Sequence, residues 1–250
     1  MEELKVNSLS DYLNLLSIHE GASLFRGVSD VKSHKLIPSI GRNWLGSVED
    51  LMEHEKVLLR QFKIKSAILL DKIPDTDWEW LTVAQHYGMP TRLLDWSTNP
   101  LVALYFACAD NQDEDGAVYL LGKFSELDPT ENPNPFNIRS DYILSPRHIS
   151  QRIVRQASYF SVSSDPTKPL EVKHTITDLS TGTPKTISLR IVITGPAVKN
   201  LILRDLRKIG VGPSSLFPGL DGLCKEIASE DVLYRVQENR KIQAIKSTTS

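Results

Sequence analysis

The spacing of apolar positions predicts helices in the first third of the chain. Leucine and tyrosine positions within residues 7–20 recur at intervals of three and four, which is typical of one apolar helix face. Ser47 and Asp50 form a predicted capping box at the start of a longer apolar pattern. That pattern predicts the longest helix over residues 51–70, with a break near Lys63.

Two further helices are predicted on either side of a polar segment. The first is predicted over residues 77–87, with Asp77 as its N-cap. Gly88 supplies a left-handed stop after its last residue. The second begins at Asn99, an N-cap residue followed by Pro100 at the first helical position. Between them lies a segment with little apolar filler, whose notable side chains are Gln85, His86, Tyr87, Thr91, Arg92, Asp95, Trp96 and Ser97.

Strand patterns are concentrated outside these helices. The stretch SLFRG at 23–27 is short, favours β structure and ends at a glycine, and GAVYLL at 116–121 is typical of a buried strand. Three later stretches also favour strands, the last two being separated by the turn-forming cluster DLSTGTP and therefore predicted to form a hairpin. These stretches are residues 153–162, 171–177 and 186–194.

The order of elements predicts one domain. Residues 125–150 are rich in Pro, Asn and Asp, which indicates a surface excursion with at most a turn of helix. Two helices follow the strands, one over 200–208 closed by Gly210 and one that begins at Asp221 or Gly222. Helices, then mixed strands, then helices indicate a single α+β domain over residues 1–250, with mixed or antiparallel sheets flanked by helices.

Composition narrows the classes of function. A net charge of −2 argues against bulk nucleic-acid binding, and the absence of a long apolar run or a basic leader favours a cytoplasmic protein with no membrane partner. Cys108 and Cys224 have no metal-type or redox-type spacing, so no disulfide is expected. His54 and His86 are isolated, which makes a metal site improbable. Serine-hydrolase and P-loop signatures are missing as well.

The polar segment before Asn99 has two interpretations. In the structural one, Arg92 pairs with Asp95, Gln85 and His86 satisfy backbone groups of a loop, and the hydroxyls cap the next helix. In the functional one, residues 85–97 form the floor of a pocket at a helix N-terminus. There the dipole and backbone N–H groups favour an anionic or phosphorylated ligand, with Arg26 and Arg92 as counter-charges.

Several motifs resemble those of the FRG domain family, named for a Phe-Arg-Gly element. They are LFRG at 24–27, LIPSIGR at 36–42, AQHYGMPTRLLDWSTNPLVALYFA at 84–107, RQASYF at 155–160 and SLFPGLDGLCKEI at 215–227. The resemblance covers a core of about residues 21–228. It implies a bacterial or phage setting, such as defence or a toxin-like role, and it implies no assigned activity.

A second resemblance connects the Phe-Arg-Gly element to arginine-type ADP-ribosyltransferases. It implies an ADP-ribosyltransferase-like fold with NAD as the substrate. Arg26 would hold the NAD pyrophosphate through a bidentate fork, and Ser97 or Thr98 would orient the nicotinamide ribose. The aromatic candidates for stacking on the nicotinamide ring are Tyr87, Tyr105 and Phe106.

The resemblance also implies a carboxylate, and the corresponding stretch around Gln156 has none. A glutamine can hydrogen-bond a hydroxyl, but it cannot act as a base or stabilise a cation by charge. Asp95, Asp221 or Glu226 would have to supply that charge from elsewhere.

Two hypotheses therefore stand side by side. The first is an NAD-binding domain with ADP-ribosyltransferase or NAD glycohydrolase activity, acting on a protein acceptor or on water. The second is a catalytically silent ligand-binding or protein-interaction module, in which Trp44, Trp78, Trp80 and Trp96 contribute core or interface area. The predicted catalytic residues are Arg26, Ser97 and Gln156, and the predicted nucleotide contacts are Arg26, Gln85, His86, Tyr87, Thr91, Arg92, Asp95 and Thr98.

Overall fold

The computed structural model describes residues 1–148, 150–177 and 181–231. The helices are α1 (Leu9–Ile18), α2 (Val48–Ser66), α3 (Asp77–His86), α4 (Pro100–Ala109), α5 (Gln151–Arg155), α6 (Gly195–Lys208) and α7 (Pro213–Leu216), with a 3-10 turn at Ser39–Gly41 and helical residues 220–231 after them. The strands are β1 (Glu2–Val6), β2 (Leu24–Val28), β3 (Leu93–Ser97), β4 (Gly116–Leu121), β5 (Tyr142–Leu144), β6 (Ser158–Val162), β7 (His174–Thr177), β8 (Pro184–Ile187) and β9 (Leu189–Ile193).

A seven-stranded mixed sheet organises the molecule, in the order β1-β9-β4-β2-β3-β6-β5. Strands β1 and β9 run parallel, and the other neighbours in this sheet are antiparallel. Strands β7 and β8 form a separate hairpin. Helices α4, α6 and α1 cover one core of this sheet, while α2 and α3 pack on a second core near β3 and β6. The α+β prediction is confirmed.

The sheet is split between β2 and β3. Strand β2 pairs with β4 along its whole length, and β3 pairs with β6 along its whole length. Between β2 and β3 the register contains a single pair, Phe25 with Ser97. Because the strands are antiparallel, they diverge from this pair towards Val28 and Leu93. The sheet therefore consists of two half-sheets joined at one point.

Helix α4 packs closely against β2, which explains the glycine of the Phe-Arg-Gly element. A Cβ atom at Gly27 would lie 1.8 Å from the carbonyl oxygen of Ala103 and 2.7 Å from the amide nitrogen of Ala107. Asn99 caps α4 by accepting from the amide of Leu101, with Pro100 as the first helical residue. The predicted start of this helix is confirmed, and β2 and α4 form a rigid unit beside the split.

Helix boundaries differ from the predictions in several places. Helix α2 begins at Val48, continues through Lys63 without a break and ends at Ser66, before the predicted end at residue 70. The cap of α3 is Thr76, whose hydroxyl accepts from the amide of Glu79, so Asp77 is already helical. Helix α6 begins at Gly195 rather than 200, and the last helix begins at 220 rather than 221 or 222.

The predicted strand over 153–162 is partly wrong, because its first residues form α5, capped by Ser150. Residues 186–194 divide between β8, which pairs with β7, and β9, which joins the main sheet. The β7–β8 hairpin is confirmed, although residues 178–180 of its turn lie outside the described residues. The segment 125–150 has exposed positions, but it also contains strand β5 and contributes side chains to the core. The buried side chains are Leu127, Ile138, Ile143 and Leu144.

Across the residues that the structure describes, no helix combines the length and apolar character needed to cross a bilayer.

Candidate functional site

A cavity of about 230 Å³ opens where β2 and β3 diverge, and we call it the split cleft. Strands β2, β3 and β6 and helices α3, α4 and α5 all contribute to its walls. Its charged and amide side chains are Arg26, Gln85, His86, Asp95, Arg152 and Gln156. The Phe-Arg-Gly element and the polar segment before α4 therefore line the same hollow.

Arg26 reaches across the split. Its Nη1 donates a 2.6 Å hydrogen bond to the backbone carbonyl of Asp95 and lies 3.6 Å from the Oδ2 atom of the same residue. Its Nε atom is buried and has no hydrogen-bond partner within the described residues. Burial lowers the pKa of Arg26, and the neighbouring Asp95 opposes that shift. An unbonded buried donor costs about 1–3 kcal/mol, so an acceptor brought by a ligand would be stabilising here.

Asp95 is the one carboxylate among the described residues that line the split cleft. Its side chain is 56% exposed, and its Oδ2 accepts a 3.0 Å hydrogen bond from Gln85 Nε2. Gln85 is itself oriented, because its Oε1 accepts a 2.6 Å bond from the hydroxyl of Thr91. Thr91 is fully buried and acts behind the cleft rather than in it. Asp95 thus places a carboxylate in the split cleft, to which the stretch around Gln156 contributes none.

Two cationic or titratable side chains complete the polar lining. His86 ends α3, and burial, followed by the charge of Arg152, lowers its pKa. The guanidinium of Arg152 stacks over the ring of Phe217 at 4.8 Å and donates no hydrogen bond within the described part of the chain. Sequence reasoning did not select Arg152. The available signals were the RQASYF motif, which begins three residues after Arg152, and the SLFPGLDGLCKEI motif, which contains Phe217.

Both predicted roles of Arg92, as the partner of Asp95 and as a counter-charge in the pocket, are wrong. Its Nε donates a 2.8 Å bond to Glu55 Oε2, its backbone amide donates to Glu55 Oε1, and its Nη1 donates to the carbonyl of Pro135. Both side chains of this ion pair are buried, at 3% and 0% exposure. Burial raises the pKa of Glu55, and Arg92 opposes that shift. Arg92 neither pairs with Asp95 nor lines the split cleft.

Ser97 and Gln156 line the split cleft, but their polar groups are engaged in the scaffold. The hydroxyl of Ser97 donates a 2.6 Å bond to the carbonyl of Gln156 and accepts from the amide of Asn99. The side-chain amide of Gln156 donates to the carbonyl of Leu216. Thr98 is exposed and lies outside the cleft lining. These bonds fix the end of β3 against the α5–β6 connection.

The aromatic candidates separate in space. Phe106 lines the split cleft, while Tyr105 faces a different cavity. Burial raises the pKa of Tyr105 to about 12. Tyr87 is 70% exposed and lines an adjoining pocket of about 170 Å³, which shares His86 and Ile153 with the split cleft.

The remaining candidates do not enter the split cleft. Asp221 and Glu226 are absent from its lining, and Glu226 instead accepts from the amide of Ser214. Cys108 is a buried free thiol whose pKa burial raises to about 12, and Cys224 is exposed and free. No group of three or more metal-ligating side chains occurs within residues 1–148, 150–177 and 181–231.

The tryptophans belong mainly to the interior. Trp78, Trp80 and Trp96 are buried, and Trp44 stacks on His54 with ring centroids 5.7 Å apart. An exposed tryptophan-rich interface is therefore not present among them, and three of the four contribute core area.

Comparison with known proteins identifies one family. The FRG domain model matches residues 21–116 of the chain. The match includes Arg26, Gln85, His86 and Asp95, whereas Arg152 lies beyond it. No curated protein and no solved structure matches the chain, so the resemblance to ADP-ribosyltransferases gains no support from these comparisons.

Proposed function

We propose that this FRG-domain protein binds an NAD-type dinucleotide in the split cleft and cleaves its bond between nicotinamide and ribose. The observation that carries the proposal is the pairing of Arg26 and Asp95 at the split in the sheet. A guanidinium with a spare donor suits the pyrophosphate, and a half-exposed carboxylate suits the ribose.

The chemistry requires only what these two side chains offer. The C1′–N1 bond breaks, its electron pair goes to the nicotinamide nitrogen, and nicotinamide departs neutral without a general acid. The Asp95 carboxylate would stabilise the positive charge that develops on the ribose, much as carboxylates do in glycoside hydrolysis. Water then attacks C1′ and releases a proton, giving ADP-ribose. A nucleophile on an acceptor protein in place of water would give ADP-ribosyl transfer.

The size of the hollow fits part of a dinucleotide. Small-molecule sites usually measure about 300–1,000 Å³, and the split cleft alone is smaller than that. The adjoining pocket beside Tyr87 shares two wall residues with it, so the two together reach the usual range. An elongated ligand would extend from the split towards Tyr87.

The test is the release of nicotinamide from NAD by the purified protein, followed by chromatography. We expect release by the unaltered protein and by Arg155→Ala, because Arg155 is exposed on the same helix as Arg152. Arg26→Ala and Asp95→Asn should lose release while keeping the circular dichroism of the folded protein. Equal release by all four proteins, or none by any, would overturn the proposed reaction.

A second candidate is nucleotide binding without turnover. It is favoured by the bonds that already engage Asp95, Ser97 and Gln156, which leave few groups free for catalysis. Calorimetry with ADP-ribose separates the two: binding that depends on Arg26, with no nicotinamide release from NAD, indicates a recognition module. With either activity, we propose a role in bacterial defence. ADP-ribosyl transfer would in addition require a protein acceptor.

A further inference from the structure

Phe217 contacts two cationic side chains beside the split cleft. The guanidinium carbon of Arg152 lies 4.8 Å from the centre of its ring, and the Nζ atom of Lys225 lies 4.7 Å from it. Phe106 makes an edge contact with the same ring at 5.9 Å. Phe106 and Arg152 both line the split cleft, so Phe217 supports its wall from behind.

The C-terminal part of the chain is fixed tightly in this position. The carbonyl of Leu216, in α7, accepts a 3.2 Å hydrogen bond from the side chain of Gln156. Gly222 allows the last helix to approach, because a Cβ atom there would lie 1.8 Å from the carbonyl oxygen of Phe217. The SLFPGLDG motif therefore forms a rigid support for α5, which carries Arg152.

Stacking leaves the hydrogen-bonding edge of Arg152 available. A guanidinium presents five N–H donors in one plane, and contact of its face with an aromatic ring orients that plane without using the donors. The side chain of Arg152 donates no hydrogen bond within the described residues, and the residue is only partly buried. Burial lowers its pKa and Asp95 opposes that shift, which agrees with a cation in a confined site.

The charges of the split cleft are unbalanced. Two guanidiniums, Arg26 and Arg152, line it together with a single carboxylate, Asp95. A diphosphate carries two linked anionic groups, so each of its phosphates can accept hydrogen bonds from a different guanidinium. Here the pair comes from β2 and α5.

We propose that Arg152, positioned by Phe217, is a second phosphate-binding residue of the split cleft and that the cleft takes ligands with a diphosphate group. This inference rests on the proposed function, in that the diphosphate would be that of an NAD-type dinucleotide. It assigns a role to the C-terminal SLFPGLDG motif, which lies outside the matched family segment.

The test is isothermal titration of ADP-ribose into the full chain and its variants. Arg152→Gln should weaken binding about 10- to 100-fold, the range expected for charge-assisted hydrogen bonds, and Arg155→Gln on the same helix should change it less than about twofold. Phe217→Leu should weaken binding about five- to tenfold. Phe217→Tyr should bind as tightly as the unaltered protein, because it keeps the aromatic ring. Thermal unfolding of each variant reports whether it folds.

A double variant separates positioning from general support. If Phe217 acts through Arg152, the double variant of Arg152→Gln with Phe217→Leu should bind no more weakly than Arg152→Gln alone. Additive losses would show that Phe217 acts on the fold rather than on Arg152, and would overturn the positioning role.

Two failures can be told apart. If ADP-ribose binds and requires Arg26 but not Arg152, the diphosphate inference is wrong and the proposed function stands. If ADP-ribose does not bind at all, the proposed function is wrong, and inorganic pyrophosphate is titrated instead. Pyrophosphate binding that Arg152→Gln abolishes supports the diphosphate site, and its absence overturns that as well.

Discussion

Arg92 and Arg26 both lie close to strand β3, but their surroundings differ. Arg92 directly precedes β3 and is buried with Glu55, which accepts from both its side chain and its backbone amide. Arg26 crosses from β2 to β3, and its carboxylate neighbour Asp95 is more than half exposed. The difference is that Arg92 has its hydrogen bonds satisfied inside the protein, while Arg26 retains an unbonded Nε atom beside a cavity.

The comparison shows that residue type alone does not distinguish a buried structural arginine from one that borders a cavity. A buried ion pair that is fully bonded fixes a connection, here between α2 and the start of β3. An arginine at a split in a sheet lies where backbone groups lack strand partners and where ligands can enter. The local fold around each guanidinium therefore decides its role.

The largest expected effect comes from breaking the buried pair. Glu55→Ala leaves the charge of Arg92 buried without a partner and should lower the free energy of unfolding by about 3–5 kcal/mol, measured by urea denaturation. The matched control is Glu53→Ala on the same helix, because Glu53 forms an exposed pair with Lys56 and should cost less than about 1 kcal/mol. Similar losses for both variants would show that the buried pair contributes nothing special.

A slightly smaller effect is expected in the split cleft. Asp95→Asn should slow nicotinamide release from NAD by about 10²- to 10³-fold, because the amide cannot stabilise positive charge on the ribose. Its free energy of unfolding should stay within about 1 kcal/mol of the unaltered protein, since the Asp95 side chain is 56% exposed. A large loss of stability in Asp95→Asn with unchanged nicotinamide release would show that Asp95 is structural, as Glu55 is, and would contradict its place in the proposed reaction.

Two histidines, His19 and His174, form a second buried pair, which lacks opposite charges. His19 Nδ1 and His174 Nε2 are 3.1 Å apart in the interior, and burial, followed by the charge of His19, lowers the pKa of His174 to about 4. Burial also lowers the pKa of His19. Because the unfolded state, with a histidine pKa near 6.5, binds more protons, stability should fall as the pH drops from about 6.5 towards 4.

The measurement is urea unfolding at pH 7 and pH 5. The unaltered protein should lose up to about 2 kcal/mol more over this range than His174→Gln, which keeps a hydrogen-bonding side chain at the position but removes its titration. Equal losses in the two proteins would show that other groups carry the acid sensitivity.

The local parts of the fold could be predicted from the sequence. The Asn99–Pro100 start of α4 and the stop at Gly88, which has a φ of 84°, depend on neighbouring residues and are readable from the chain. Helix α5 was missed because its isoleucine and valine favour strands, and the Ser150 cap that overrides them was not recognised.

The site was less predictable, because it depends on partners far apart in sequence. The proximity of Arg26 to the segment before α4 followed from motif content, and the structure places both in one cleft. The partner of Arg92 is Glu55, 37 positions away, and nothing local in the sequence distinguishes that pair from Arg92 with Asp95. The split in the sheet is likewise a matter of long-range strand pairing.

The most direct measurement follows the Nε–H signals of both arginines by NMR during a titration with ADP-ribose. The account predicts that the signal of Arg26, unbonded in the free protein, shifts towards that of a hydrogen-bonded donor, while the signal of Arg92 stays fixed by Glu55. An unchanged Arg26 signal at saturating ADP-ribose, or a larger change at Arg92, would contradict the central claim.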